Sequence, residues 1–227
     1  MTKTHDKDEV QMIGNTQDRR TPDLVREEIR VGEVLLHICC GPCAEWPIAS
    51  LKQEGFSLTA YFYNPNIHPL FEHRRRLNGA KTVCSLQDVP FFSDDSCEPE
   101  RWIAMSEKRS PEEEGRCAMC YRIRMDRVAA EAKARGIPMF TTSLLVSPYQ
   151  NHEKLIEVCE EAALRYDVKF LYRDFRLGFR EGQKMAREHG VYRQKYCGCI
   201  LSLEESDFRE KIYRDFEGSI GATTTVL

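Results

Sequence analysis

The sequence predicts an α/β fold, a mostly parallel sheet flanked by helices. Three observations predict it. Apolar runs of strand length recur along the chain, amphipathic stretches of helical period lie between them, and Gly, Pro and Asn clusters mark the changeovers. Residues 34–39 form the first run, punctuated by Gly41 and Pro42, and 44–54 follow as a helix ended near Gly55. Residues 58–63 are β-rich and stop at the turn cluster Asn64, Pro65, Asn66; a helix over 70–86 comes next. Tyr121, Met125, Val128, Ala129 and Ala132 mark one helical stripe, closed by Gly136 and Pro138. Residues 139–146 read as a buried strand broken at Ser147 and Pro148. Leu155, Val158, Cys159, Ala162 and Tyr166 line one face of a helix, and 168–172 supply another strand.

In an open parallel sheet, ligands sit outside the carboxyl ends of the strands. Cys39 and Cys40 close the first strand, residues 64–68 the second, and Ser147 to Tyr149 a later one, so all three loops are expected at one crevice. No GxGxxG and no GxxxxGK[ST] pattern is present, so neither dinucleotide nor P-loop phosphate binding is signalled.

The chain has 227 residues, 41% hydrophobic and 30% charged, which suits one soluble domain with a real core. No apolar run approaches the roughly 20 residues of a membrane helix, and the polar start carries no secretory core, so a cytoplasmic protein without a membrane partner is expected. Residues 1–30 read as a peripheral extension, 31–205 as the working domain and 206–227 as a tail. A net charge of −3 argues against nucleic-acid binding by bulk charge. Locally the balance reverses: residues 170–199 hold seven Lys/Arg against three acids, and Arg74, Arg75 and Arg76 form a second basic knot, a layout suited to a polyanion.

Ten cysteines demand explanation, since cytosolic thiols stay reduced and clustered ones usually bind metal or do redox chemistry. Seven fall in three groups: Cys39, Cys40 and Cys43; Cys117 and Cys120; Cys197 and Cys199. Cys40 and Cys43 alone copy a thioredoxin-like dithiol, but an adjacent third cysteine and two more pairs do not fit it. Cys117 and Cys120, at i and i+3 on a helix start, point the same way; with Cys197 and Cys199 they also suit a zinc-stabilised RNA-binding module. Seven thiols exceed one tetrahedral site and divide as four and three. Cys84 and Cys159 read as buried hydrophobes and Cys97 as an exposed loop thiol. His37 and His189 read as structural, whereas His68 sits in a strand-end loop.

Taken together, LLHICCGPC (35–43), FYNPNIHP (62–69), GRCAMCYRIRM (115–125), TTSLLVSPYQN (141–151), DFRLGF (174–179) and YRQKYCGCILS (192–202) resemble the QueH family of non-cobalamin epoxyqueuosine reductases. The resemblance implies a HUP/PP-loop-like Rossmannoid three-layer domain whose glycine-rich phosphate loop is replaced by cysteines, so no ATP is expected. It implies an oxidoreductase that converts epoxyqueuosine to queuosine at the wobble position of tRNAs with GUN anticodons, those for aspartate, asparagine, histidine and tyrosine. Electrons would come from an external donor.

Carried over by position, a 4Fe–4S cluster would be held by Cys39, Cys40, Cys117 and Cys120, and a mononuclear metal, iron by resemblance, by Cys43, Cys197 and Cys199. A redox-active disulfide between Cys197 and Cys199 is the alternative for the last pair. A three-thiolate metal keeps an open position suited to Lewis-acid chemistry. Expected substrate contacts are Tyr63, Asn64, Asn66, Arg173 and Arg176, with Tyr149 for stacking, and His68, Tyr149 and Asp174 are the candidate proton donors.

Overall fold

The computed structural model describes residues 32–107 and 115–223. The N-terminal extension expected at 1–30 lies outside the described residues, as do 224–227 of the tail. In chain order the regular elements are β1 (Gly32–His37), α1 (Gly41–Gln53), β2 (Phe56–Tyr63), α2 (Leu70–Leu86), β3 (Phe91–Asp94), α3 (Pro99–Glu107), α4 (Arg116–Ala134), β4 (Met139–Thr142), α5 (His152–Tyr166), β5 (Lys169–Phe170), α6 (Phe179–Glu188), α7 (Ile200–Glu204) and α8 (Arg209–Thr223). Single 3₁₀ turns cover Ser143–Val146 and Phe175–Gly178.

The five strands are all parallel, in the order β3-β2-β1-β4-β5. Central β1 pairs with β2 on one edge and β4 on the other; Leu36 faces Ala60 and Thr141 across those two ladders. The chain builds outward through β2 and β3, then crosses back to place β4 beside β1. Right-handed crossovers put α1 and α2 on one face and α4 and α5 on the other; α1 packs on α2 and α6, and α4 packs on α5. Val34, Leu35, Leu36 and Ile38 are wholly buried between these layers, as continuous apolar runs in parallel sheets must be. The topological switch point therefore lies at the carboxyl ends of β1 and β4.

Several local features explain the boundaries. Helix α1 starts at Gly41 rather than at Ala44, because proline is compatible with a first helical turn, where no N–H partner is needed. Gly41 is obligatory: a Cβ there would lie 2.6 Å from the Gly79 carbonyl oxygen of α2. Asn151 caps α5, its Oδ1 accepting the Lys154 N–H at 3.0 Å.

The strand expected over 139–146 ends at Thr142. The Thr142 hydroxyl accepts the Leu144 N–H at 3.2 Å and turns the chain into a 3₁₀ turn. The strand expected over 168–172 shortens to Lys169–Phe170, at the sheet edge. Edge strand β3 and helix α3 have no counterpart in the sequence reading. Residues 209–223 of the tail are helical, and Ile212 packs under Tyr196 and Leu203. No described helix is long and apolar enough to cross a membrane.

Candidate metal centre and its cavity

At the end of β1 the backbone turns through Cys39 and Cys40 into α1, whose first turn carries Cys43. The three sulfurs lie within 4.8 Å of one another, the closest such trio of potential metal ligands among the described residues. The Sγ atoms of Cys39 and Cys40 are 3.7 Å apart. Ser143, from the turn after β4, binds both ends of Cys39: its hydroxyl oxygen accepts the Cys39 N–H at 3.0 Å, and its O–H donates to the sulfur at 3.4 Å. The Cys40 and Cys43 thiols, with Ser143, hold Cys39 well below the usual thiol range, while burial raises Cys40 and the Cys39 sulfur raises Cys43. The Gln194 amide reaches Cys43 Sγ at 3.5 Å. Three thiols this close could hold a soft metal ion.

The remaining four thiols form a second set. Cys117 and Cys120 occupy the first turn of α4, and Cys197 and Cys199 flank Gly198 just before α7. Buried Trp102 of α3 donates its indole N–H to Cys120 Sγ at 3.1 Å, and Trp102, Met119, Cys120 and Cys199 pack as one cluster. Burial pushes the Cys120 thiol up to about 12. Cys199 caps α7, its sulfur accepting the Ser202 N–H at 3.4 Å.

Arg76 clamps the Cys197–Cys199 loop. Its guanidinium donates to the carbonyls of Cys197 at 2.8 Å and Tyr196 at 2.9 Å, and pairs with wholly buried Glu72 at 2.7 Å. The Tyr192 hydroxyl completes the carboxylate at 2.7 Å. Gly198 adopts φ +135°, and a Cβ there would lie 3.0 Å from Arg76, so the clamp needs glycine for both reasons.

Both sets meet at one cavity of about 630 Å³, lined by Cys39, Cys43, Cys117, Cys197 and Cys199. Its wall carries Arg76, Arg116, Arg124, Arg193 and Lys195 and, among the described residues, no carboxylate. Tyr149 stands at the cavity, 84% exposed and edge-on to Phe179. Gln150 closes one side, linking the Tyr121 hydroxyl at 2.8 Å to Cys197 Sγ at 3.8 Å.

The structure thus brings five of the seven clustered cysteines to one cavity wall. Cys43 lies with Cys39 and Cys40, and Cys120 packs with Cys199. All ten cysteines are free thiols here. Buried Cys84 and Cys159 lie in the core as read, and Cys97 is partly buried, its S–H directed at the Ile67 carbonyl at 3.4 Å.

Of the proton-donor candidates only Tyr149 lines the cavity. His68 is buried behind it, edge-on to Trp102. Its Nδ1 accepts the Ile200 N–H at 3.3 Å, its backbone N–H donates to the Gly198 carbonyl at 2.8 Å, and burial lowers it to about 4. Asp174 pairs with Arg176 at 2.6 Å, which holds its carboxyl down to about 2.

The expected substrate contacts are likewise elsewhere. Asn64 is buried, its amide donating to the Ile38 carbonyl at 2.9 Å, and Asn66 is buried beside it. Tyr63 lines a small separate hollow with Trp102, and Arg173 pairs with Glu54 at 2.9 Å. His37 and His189 are structural as read: His37 Nε2–H donates to the Tyr63 carbonyl at 3.1 Å, and His189 pairs with Glu45 at 2.8 Å. Trp102, Ser143, Gln194 and Arg124 were missed. Only Arg124 had a legible signal, its spacing of four and seven residues from Cys120 and Cys117 on one helix face.

A parallel α/β sheet with three clustered thiols at its switch point defines an α/β protein whose candidate site is thiol-centred. The family model described as "Epoxyqueuosine reductase QueH" matches residues 34–205, and the chain belongs to that family of oxidoreductases. The family's enzyme from Dehalococcoides mccartyi is 31% identical over 173 residues, covering 76% of this chain and 93% of the relative. That from Thermotoga maritima is 35% identical over 187 residues, covering 80% and 94%. Among solved structures, the zinc-inhibited teicoplanin deacetylase Orf2 aligns with a TM-score of 0.37 and 13% identity over 60% of this chain and 65% of that one, a likeness too slight to build on.

Proposed function

We propose that this protein reduces epoxyqueuosine to queuosine at the wobble position of tRNAs with GUN anticodons, drawing electrons from an external donor. The reaction takes two electrons and two protons, opens the epoxide and yields the alkene and water. The observation that carries the reading is that five of the seven clustered thiols, from three distant segments, line one basic cavity whose described residues include no carboxylate. A free cysteine knot with hydroxyl and amide groups directed at its sulfurs fits an iron centre, as does a second thiol set with an indole N–H on sulfur.

We assign a 4Fe–4S cluster and a neighbouring metal to the seven thiols. The grouping of side chains favours Cys39, Cys40 and Cys43 as one ligand set and Cys117, Cys120, Cys197 and Cys199 as the other. When bound, these groups supply electrons one at a time and Lewis acidity.

The chain's own residues do the rest. Tyr149 and Phe179 offer aromatic faces at the cavity for an extruded nucleotide, and Arg193 and Lys195 meet its flanking backbone. We assign delivery of a proton to the leaving oxygen to the exposed Tyr149 hydroxyl at the cavity. Arg76, His68 and Trp102 keep the Cys197–Cys199 loop and Cys120 in place.

The test is anaerobic reconstitution with iron and sulfide, then incubation with epoxyqueuosine-containing tRNA and a strong reductant. Mass spectrometry should show the modified nucleoside losing one oxygen atom. A brown, fully loaded protein that leaves the epoxide intact would sink the reading.

A further inference from the structure

The cavity's cations are not equivalent. Arg76 is fully spent on two carbonyls and Glu72, and Arg116 is held by both carboxylate oxygens of Glu205. Arg193 leans on the Gln183 amide and Lys195 lies over the Phe208 ring, both on the exposed side without a carboxylate partner among the described residues. Arg124 differs from all four. It is 4% exposed, yet it lines the cavity, and its one hydrogen bond among the described residues runs from Nε–H to the Cys120 carbonyl at 3.1 Å. That bond fixes the guanidinium plane and leaves the paired Nη groups without an acceptor among the described residues. Among the described residues no carboxylate pairs with this buried guanidinium, and a buried charge without a carboxylate partner is costly.

We propose that Arg124 is the inner group of an oxyanion subsite that takes a phosphodiester of the nucleotide entering the cavity; this rests on the tRNA reading above. A planar two-pronged donor matches two phosphate oxygens, which a lysine at the same place would not. Exposed Arg193 and Lys195 with buried Arg124 make a graded cationic track, and a nucleic-acid backbone is the anion that engages such a track stepwise.

The experiment measures binding, not turnover. A labelled anticodon stem–loop RNA is titrated with the full metal-loaded chain across a range of KCl, with either a native backbone or a neutral methylphosphonate beside the wobble nucleotide. Arg124→Gln should weaken binding of the native RNA about tenfold, the worth of one charge-assisted hydrogen-bonded contact. It should also reduce the slope of log K against log salt by about 0.7, the single-strand value for one phosphate. The methylphosphonate should produce the same loss on the wild-type chain and no further loss on Arg124→Gln. Arg124→Lys should keep the slope but not the full affinity.

Because the methylphosphonate arm needs no altered protein, a misfolded variant does not blunt the test. An unchanged slope in both arms would overturn the subsite. So would binding of inorganic phosphate lost in Arg124→Gln while RNA binding stays intact, since the subsite would then hold free phosphate. Iron content lost in Arg124→Gln with RNA binding intact would also overturn it, by making Arg124 the counter-ion of the thiolates. A wild-type chain that binds no stem–loop overturns the tRNA reading itself, and this inference with it.

Discussion

The two thiol sets are built in opposite ways. Cys39, Cys40 and Cys43 come from one strand-to-helix turn at the end of the central strand and are buried, so local backbone geometry gathers their sulfurs and Ser143 steadies Cys39. Cys117, Cys120, Cys197 and Cys199 come from a helix start and a late loop; Cys117 and Cys197 are exposed, and side chains from α2 and α3 hold the ensemble. The inner knot is as stable as the fold, whereas the outer set depends on a few long-range contacts. Changes at those contacts should therefore empty the outer site and spare the inner one.

The sharpest break is Arg76→Ala. It strands wholly buried Glu72 and frees two loop carbonyls, so it should cost about 3–5 kcal/mol in urea denaturation. Sub-stoichiometric iron should then remain on the inner knot alone, readable by metal analysis of Cys197→Ser and Cys43→Ser controls. If the inner knot empties equally, the contrast between the sets fails.

Acid should act next. His68 drops from an ordinary 6.5 to about 4 on folding, so the unfolded chain binds the extra proton first, and stability present above pH 6.5 is lost as pH falls toward 4. That loss amounts to roughly 3 kcal/mol. Protonated Nδ1 cannot accept the Ile200 N–H, so the outer loop should loosen before the sheet melts. Stability followed by denaturant titration at several pH values should show the slope, and His68→Asn, which keeps an acceptor without titrating, should flatten it.

Gly198→Ala tests the loop itself. A side chain at φ +135° and 3.0 Å from Arg76 should destabilise by about 1–3 kcal/mol and lower metal retention of the outer set during dialysis against a chelator. The smallest global effect belongs to Trp102→Phe, which removes the N–H on Cys120 Sγ while keeping an apolar ring. In the metal-loaded chain the midpoint potential should move to more negative values, because a hydrogen bond to sulfur favours the more electron-rich reduced state. Metal content of the inner knot should stay constant; an unmoved potential would place Cys120 outside the redox centre.

Much of the fold was legible because it follows local periodicity. The 70–86 helix has the observed bounds of α2, and the stripe from Leu155 to Tyr166 lies within α5. Strand β3 and helix α3 escaped notice because β3 is a partly buried edge strand of four residues and α3 is short. The turn at 143–146 reads as strand from its apolar residues, and only the Thr142 hydroxyl bends it. In the site, the seven cysteines stood out by clustering. Asn64 and Arg176 looked like ligand groups, but one is spent on the Ile38 carbonyl and the other on its neighbour Asp174. Sequence shows polarity, not which hydrogen bonds have already consumed it.

By itself, the sequence determined the α/β alternation, the inventory of soft ligands and the family, since these rest on residue type and spacing along the chain. The tertiary structure alone decided which thiol faces which and that, among the described residues, Arg124 is buried without an acid and the cavity wall has no carboxylate. Those properties depend on side-chain direction where distant segments cross at the sheet's switch point, and no local pattern encodes that crossing.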